Sequence, residues 1–385
     1  MSDADVKRTT LPVGFATFHR DAFLNYQLNR AYALGFADPG ELRATASALR
    51  SFDRAADAFA ALAERAERVG RLRNATSYLR IAEFFSPKRS GVGVPIYRRY
   101  RALFDRAFAD GGAVRHEIPY AGAALPAYHL PAAAAPSRGT ILLHGGFDSL
   151  IEEFYVIWQR IAESGFDVIA YEGPGQGGAR ALGGLTFDHD WEKPVAAVLD
   201  HFALERAGLV GISMGGYWAL RAASREPRID RVVSWPPVYD WLYQLPAPVR
   251  AVARVMLRRR RFMNGSIRLR ARLFPVLRHV VEHTIYLVDR DEPMAVADWF
   301  LGMNAEHLGS GRVVQDVLLC CGEKDAFQPP VLTRHQAAAL TAARSVQVRT
   351  FTAAEHAADH CQMGNLDLAC RVVTTWLRDG VAPPA

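Results

Sequence analysis

The sequence predicts an α/β protein: a mostly parallel sheet with helices on both faces, preceded by an N-terminal helical domain and interrupted by a helical insertion. Three observations predict it. From about residue 140 short apolar runs alternate with helical periodicity, the signature of strands joined by crossover helices. From about Phe18 to Asp110 the spacing is helical and strand signals are nearly absent. Between Gly208 and Gly216 a short apolar strand runs into a glycine-flanked serine, and a helical pattern follows from Tyr217 to Ala223.

Composition bounds the function. The 385 residues suffice for two domains or for one domain with a large insertion, and 50% hydrophobic with 22% charged residues is an ordinary globular composition. The net charge of +6 is carried mostly by arginines spread along the chain, too little to argue for a nucleic-acid partner. No apolar run reaches the length of a membrane span, so no membrane partner is expected. The four cysteines show no zinc spacing, and the adjacent pair Cys320-Cys321 is a poor start for a disulfide framework. A reduced, cytoplasmic setting is expected. Met1 to Thr10 is polar, with no signal-peptide core behind it, so the sequons at Asn74 and Asn264 carry no weight.

Taken in order, residues 1–112 read as a helical cap domain of four to six helices, broken at Asp38-Pro39-Gly40 and at Ser86-Pro87. Its aromatics, such as Phe15, Phe18, Phe23 and Tyr26, read as core. Residues 113–385 form the sheet domain. Val114 to Tyr120 and Leu125 to Leu130 pair as strands, and a loop follows at Pro131 to Pro136. Then come the strand Thr140 to Leu143, a helix over Ile151 to Glu163, the strand Asp167 to Ala170 and a helix over Trp191 to Leu204. The glycine-flanked serine and the strand Ile229 to Ser234 follow. A helical insertion spans about 236–312, where a lid would sit; an extra helical layer without gating is the alternative. The rhythm resumes with strands at Val317 to Cys321 and Val346 to Phe351, each followed by a helix.

Gly211-Ile212-Ser213-Met214-Gly215 fits G-x-S-x-G, the turn that lifts a nucleophilic serine above a sheet edge. Side chains at Gly211 and Gly215 would crowd the strained turn, and the N–H of Met214 opens a helix, where an oxyanion would be held. A weakly acidic hydroxyl needs a base and a carboxylate to orient that base. Asp325 lies a turn beyond the strand ending at Cys321 and is favoured over Glu323. For the base, His356 and His360 both follow the last strand, and spacing leaves the choice open. They do not form a zinc motif, because Ala357 stands where H-E-x-x-H needs glutamate, so no metal is expected. His144-Gly145-Gly146-Phe147-Asp148 follows a strand, and Phe147 is the expected second oxyanion donor, with Gly146 as the alternative.

Gly173-Pro174-Gly175-Gln176-Gly177-Gly178 formally satisfies G-x-G-x-x-G, but no helix is expected to open there, so a dinucleotide site is disfavoured. Glu172, Asp148 and Asp240 are candidate substrate contacts. Arg258-Arg259-Arg260-Arg261 reads as a solvated helix face, or as a dock for an acidic partner.

Together these motifs resemble the α/β-hydrolase family. More narrowly, they resemble its branch with an N-terminal helical cap, which includes the bacterial 2,6-dihydroxypseudooxynicotine hydrolase and the fungal pigment-pathway hydrolases that shorten polyketides. The resemblance rests on His144 to Asp148, Glu172 to Gly177, Gly211 to Tyr217, Gly322 to Asp325 and His360-Cys361-Gln362, and runs from about residue 140 to the C-terminus. It implies Ser213 as nucleophile, Asp325 as the acid member and His360, which opens His-Cys-Gln, as base. It further implies cleavage of a carbon-carbon bond beside a carbonyl, or of an ester, in a small aromatic or polyketide-like substrate without metal or organic cofactor. Acyl transfer or thioester hydrolysis in a biosynthetic pathway, and a non-catalytic ligand-binding homologue, are the rival readings. The expected partner is a small-molecule carbonyl compound; a homodimer and an acidic carrier protein are further partners that the sequence leaves open.

Overall fold

The computed structural model describes residues 10–88 and 93–383. The polar stretch at 1–9 lies outside the described residues.

Five helices come first: α1 (Ala22–Ala33), α2 (Pro39–Ser47), α3 (Ala55–Arg68), α4 (Leu72–Phe85) and α5 (Gly93–Ala107). Their starts follow from local chemistry. Asp21 caps α1 by accepting from the Leu24 N–H, and Asp38 caps α2 by accepting from Glu41 N–H, with Pro39 in the first turn where its missing N–H costs nothing. The break at Asp38-Pro39-Gly40 is therefore a helix start. Phe59, Leu62, Tyr78, Leu79, Tyr97 and Tyr100 fuse the helices into one apolar cluster, each contributing about 2 kcal/mol of burial.

The sheet has eight strands: β1 (Val114–Tyr120), β2 (Ala123–Leu130), β3 (Thr140–His144), β4 (Asp167–Tyr171), β5 (Ala207–Ile212), β6 (Ile229–Trp235), β7 (Asp316–Gly322) and β8 (Ser345–Phe351). Their order is β1-β2-β4-β3-β5-β6-β7-β8. β1 and β2 form a hairpin through Ala121 and Gly122, both at positive φ, as a two-residue turn that follows strand twist requires. β2 also runs antiparallel to β4, and every other pair is parallel. Two apolar layers close on the sheet. α6 (Tyr155–Glu163) and α16 (Leu366–Asp379) supply Trp158 and Trp376 to one; α8 (Glu192–His201), α9 (Gly215–Ala223) and α15 (Pro330–Ala339) supply Val198, Trp218 and Leu332 to the other.

β4 lies to one side of β3 and β5 to the other, so the chain changes direction between β3 and β5. Side chains beyond the carboxyl ends of those two strands face a common crevice. Between β4 and α8 sits the short helix α7 (Gly177–Ala181), and between β6 and β7 are inserted α10 (Ala247–Arg258), α11 (Arg260–Leu273), α12 (Pro275–Val288), α13 (Pro293–Gly302) and α14 (Ala305–Leu308). No helix among the described residues is long and apolar enough to cross a membrane.

Candidate active site

Ser213 occupies the turn from β5 to α9 with φ +59, the left-handed region that a side chain adopts only under local constraint. A Cβ on Gly211 would meet the Gly215 carbonyl oxygen at 2.1 Å, and one on Gly215 would meet the Gly145 carbonyl oxygen at 2.6 Å. Glycine is therefore a steric requirement on both sides of the serine.

The Ser213 Oγ lies 2.8 Å from His360 Nε2, and His360 Nδ1 lies 2.7 Å from Asp325 Oδ2. The other oxygen of Asp325 accepts the N–H groups of Phe327 and Gln328, each at 2.8 Å, which fixes the carboxylate in its turn. Glu323 instead accepts from Ala353 N–H at the surface. His360 opens a short turn whose next two residues, Cys361 and Gln362, have positive φ. Burial pulls the pKa of His360 down, but Cys361 and the Asp325 carboxylate outweigh it and hold the imidazole above its ordinary value. His144, buried beneath the turn, is driven the other way by burial, to about 4, and is neutral.

The loop after β3 approaches from the opposite side. A Cβ on Gly146 would lie 2.7 Å from the Cβ of Ser213, so this loop passes directly over the hydroxyl. Gln176 holds it there: its Nε2 donates to the carbonyl oxygens of Gly145 (2.7 Å) and Gly146 (2.9 Å), while its Oε1 accepts from Gly173 N–H (2.8 Å). Met214 stands at the N-terminus of α9. Phe147 and Met214 both line the cavity above Ser213.

That cavity measures about 280 Å³ and is walled by Phe23, Tyr26, Phe147, Phe154, Trp241, Phe300 and Phe327, with Gln27, Arg30, Asp148, Ser149 and Gln328 as polar points. Phe23, Tyr26, Gln27 and Arg30 lie at i, i+3, i+4 and i+7, one face of α1. The expectation that Phe23 and Tyr26 are core is corrected in part: both line the cavity, Phe23 while also packing half-buried against the helical core, and of the four aromatics Phe18 is the buried one while Phe15 is exposed. The legible signal was Gln27 and Arg30 sharing that stripe, since a helix that buries polar side chains faces something polar.

Asp148 reaches the cavity, with 37% of its side chain exposed, and Arg30 pairs with it at 3.0 Å. Burial would raise its pKa; Arg30 more than offsets this and leaves it at about 2. The remaining two candidate contacts lie elsewhere. Asp240 caps the turn Trp241–Gln244 by accepting from Leu242 N–H and is not a wall residue, although its neighbour Trp241 is. Glu172 is 1% exposed and accepts from the N–H groups of Ile151 (3.2 Å) and Gly178 (2.5 Å).

The second contact corrects a further expectation, because a helix, α7, does open at the glycine-rich stretch. The N–H of Gly178 in its first turn is already occupied by the chain's own carboxylate, so Glu172 sits where the dinucleotide motif would put a phosphate. Burial raises its pKa to about 7. No group of three or more His, Cys, Asp and Glu side chains suited to a metal occurs among the described residues.

Residues 140–367 match the model of the alpha/beta hydrolase family. Hydrolase acrC of Aspergillus aculeatus is 35% identical over 201 residues, 43% of this chain and 46% of the relative. Alpha/beta hydrolase psoB of Aspergillus fumigatus is 36% identical over 215 residues, 48% of each. The matched stretch thus spans about half the length of these relatives. Among solved structures, the 2,6-dihydroxy-pseudo-oxynicotine hydrolase superimposes with a TM-score of 0.64 at 20% identity, over 92% of this chain and 97% of that one, a likeness of fold that includes the helical N-terminal region.

Proposed function

Because the chain belongs to the alpha/beta hydrolase family, we propose that it is a serine hydrolase that cleaves a small carbonyl compound through an acyl-enzyme. The observation that carries the reading is the continuous hydrogen-bonded chain from Ser213 Oγ through His360 to Asp325. In this reading His360 Nε2 takes the Ser213 proton as Oγ attacks the substrate carbonyl carbon, and Asp325 orients the ring and stabilises the imidazolium that forms. The oxyanion is received by the N–H groups of Phe147 and Met214, one from each strand end of the crevice. Collapse breaks the bond to the leaving group, which collects the proton from His360; water then repeats the sequence on the acyl-serine.

The walls support the substrate class. Seven aromatic side chains around a cavity of about 280 Å³ favour a flat, aromatic or polyketide-like body. Tyr26 is held protonated by burial, so its phenol is a hydrogen-bond donor at the side of the cavity nearest His360. An ester, or a carbon-carbon bond between carbonyls, fits that setting; a carbon leaving group departs as an enolate that His360 protonates. The helices of the first 112 residues act as a cap, and α10 to α14 as a lid, in the sense that both supply walls: α1 from the former, Phe300 of α13 from the latter.

Labelling of the folded protein by a fluorophosphonate probe tests the reading. Modification at Ser213, absent from Ser213→Ala, is the expected result, and an unmodified Ser213 overturns it. Turnover of aryl esters against aromatic β-diketones then separates the two leaving groups.

A further inference from the structure

The surface of α10 and α11 has a character that the hydrolase reading does not use. Residues 247–274 hold nine arginines and no acidic residue, more positive charge than the net +6 of the whole chain, so the remainder of the molecule is net acidic. The same stretch carries Val249, Val252, Val255, Met256, Phe262, Leu269, Leu273 and Phe274, eight of the seventeen large apolar side chains that stand exposed among the described residues. On α10 the valines recur every three residues as one stripe, and α10 buries none of its residues. On α11, Phe262, Leu269 and Leu273 recur at seven and four, again one stripe. A concentration of exposed apolar side chains flanked by cations marks an interaction surface.

Its occupant follows from charge and from what lies behind it. Arg260 is tied to Asp298 and Glu292, so a second copy packed symmetrically on this face would set the other eight arginines against eight. An acidic protein answers the arginines but leaves two separate apolar stripes to be matched. A lipid surface bearing anionic headgroups answers both, as it does for basic amphipathic helices that lie in an interface without spanning it. Behind the face, an open groove of about 510 Å³ runs between α10, α11 and α13, lined by Ala253, Met256, Leu257, Met263 and Leu301 among others, with Gln244 its one polar wall residue. Trp241 and Phe300 wall both this groove and the cavity above Ser213.

We propose that α10 and α11 dock this protein on an anionic lipid surface, with the groove facing the apolar phase. That an apolar substrate then passes from the groove to Ser213 rests on the hydrolase reading; the docking does not. Co-sedimentation of the full chain with vesicles of phosphatidylcholine and phosphatidylglycerol in equal parts tests it. Binding at least about ten-fold tighter than to pure phosphatidylcholine is expected, and salt raised from about 0.1 M to about 0.5 M should release the protein. The pairs Arg254→Glu with Arg258→Glu, and Val252→Asp with Phe262→Asp, should each lower vesicle binding about ten-fold. Ser213 labelling by a water-soluble fluorophosphonate should be unchanged in both, which keeps failure of docking distinct from failure of the hydrolase reading. Absence of wild-type binding to the mixed vesicles overturns the proposal. So does a dimer that the same variants dissociate, or binding confined to an acidic carrier protein.

Discussion

The indole N–H of Trp235 donates to Oε1 of Gln362 at 2.5 Å, tying the end of β6 to the turn that presents His360. The Cys361 thiol points to the Trp235 carbonyl oxygen at 3.8 Å in the same clamp. The residues after His360 in the His-Cys-Gln motif therefore set where the ring stands, while neither reaches the Ser213 hydroxyl. Gln362→Leu leaves a buried indole N–H without its acceptor, a cost of about 1–3 kcal/mol. The expected outcome is a melting temperature lowered by several degrees and a kcat lowered about 10- to 100-fold with KM little changed, read by thermal denaturation and steady-state kinetics.

The pH profile should carry the signature of Asp325. Burial opposes the imidazolium of His360, and Cys361 and Asp325 overcome it, so the pKa lies above the ordinary value of about 6.5. The base works as the neutral ring. Activity therefore falls as pH drops through this raised pKa, and the acid limb of kcat/KM should lie above neutral histidine titration. Asp325→Asn should shift that limb to lower pH and reduce kcat by about 10³- to 10⁴-fold. The same raised pKa stabilises the fold at low pH, and that contribution is lost as pH rises through it.

Gln176 predicts a purely geometric defect. Its amide is the brace that holds the Gly145 and Gly146 carbonyls, and with them the peptide leading to the Phe147 N–H. Gln176→Leu should lower kcat about 100-fold, the scale of a lost oxyanion donor, with fluorophosphonate labelling slowed in proportion. Unchanged kcat would mean that the loop does not serve the oxyanion.

Gly211→Ala tests the packing of the serine turn. The new Cβ would stand 2.1 Å from the Gly215 carbonyl oxygen, a contact relieved only by moving β5 away from α9. A loss of about 3 kcal/mol in denaturant unfolding is expected, together with loss of Ser213 labelling.

The sheet was legible because its strands are short apolar runs at regular intervals, and β5 announces itself by ending in glycine, serine and glycine. That Ser213, Asp325 and His360 would come together was legible for a related reason: each follows a strand, and strand ends in a parallel sheet share one rim. Spacing could not separate His356 from His360, since both lie in the same loop. Glu172 misled because it also follows a strand, yet it turns back to cap α7. Asp240 misled because a capping aspartate and a substrate-facing aspartate look alike until the next N–H is located. The wall contributed by α1 was hidden because an aromatic stripe on a helix reads as core whenever the partner surface is unseen.

The face of α1 bearing Phe23, Tyr26, Gln27 and Arg30 lines the cavity above Ser213 nearly two hundred residues before the serine in sequence. In the proposed reading, one wall of the recognition cavity is consequently encoded apart from the residues that cleave the bond. On that reading, a library diversified at those four codons should change which molecule is accepted while leaving Ser213, His360 and Asp325 untouched.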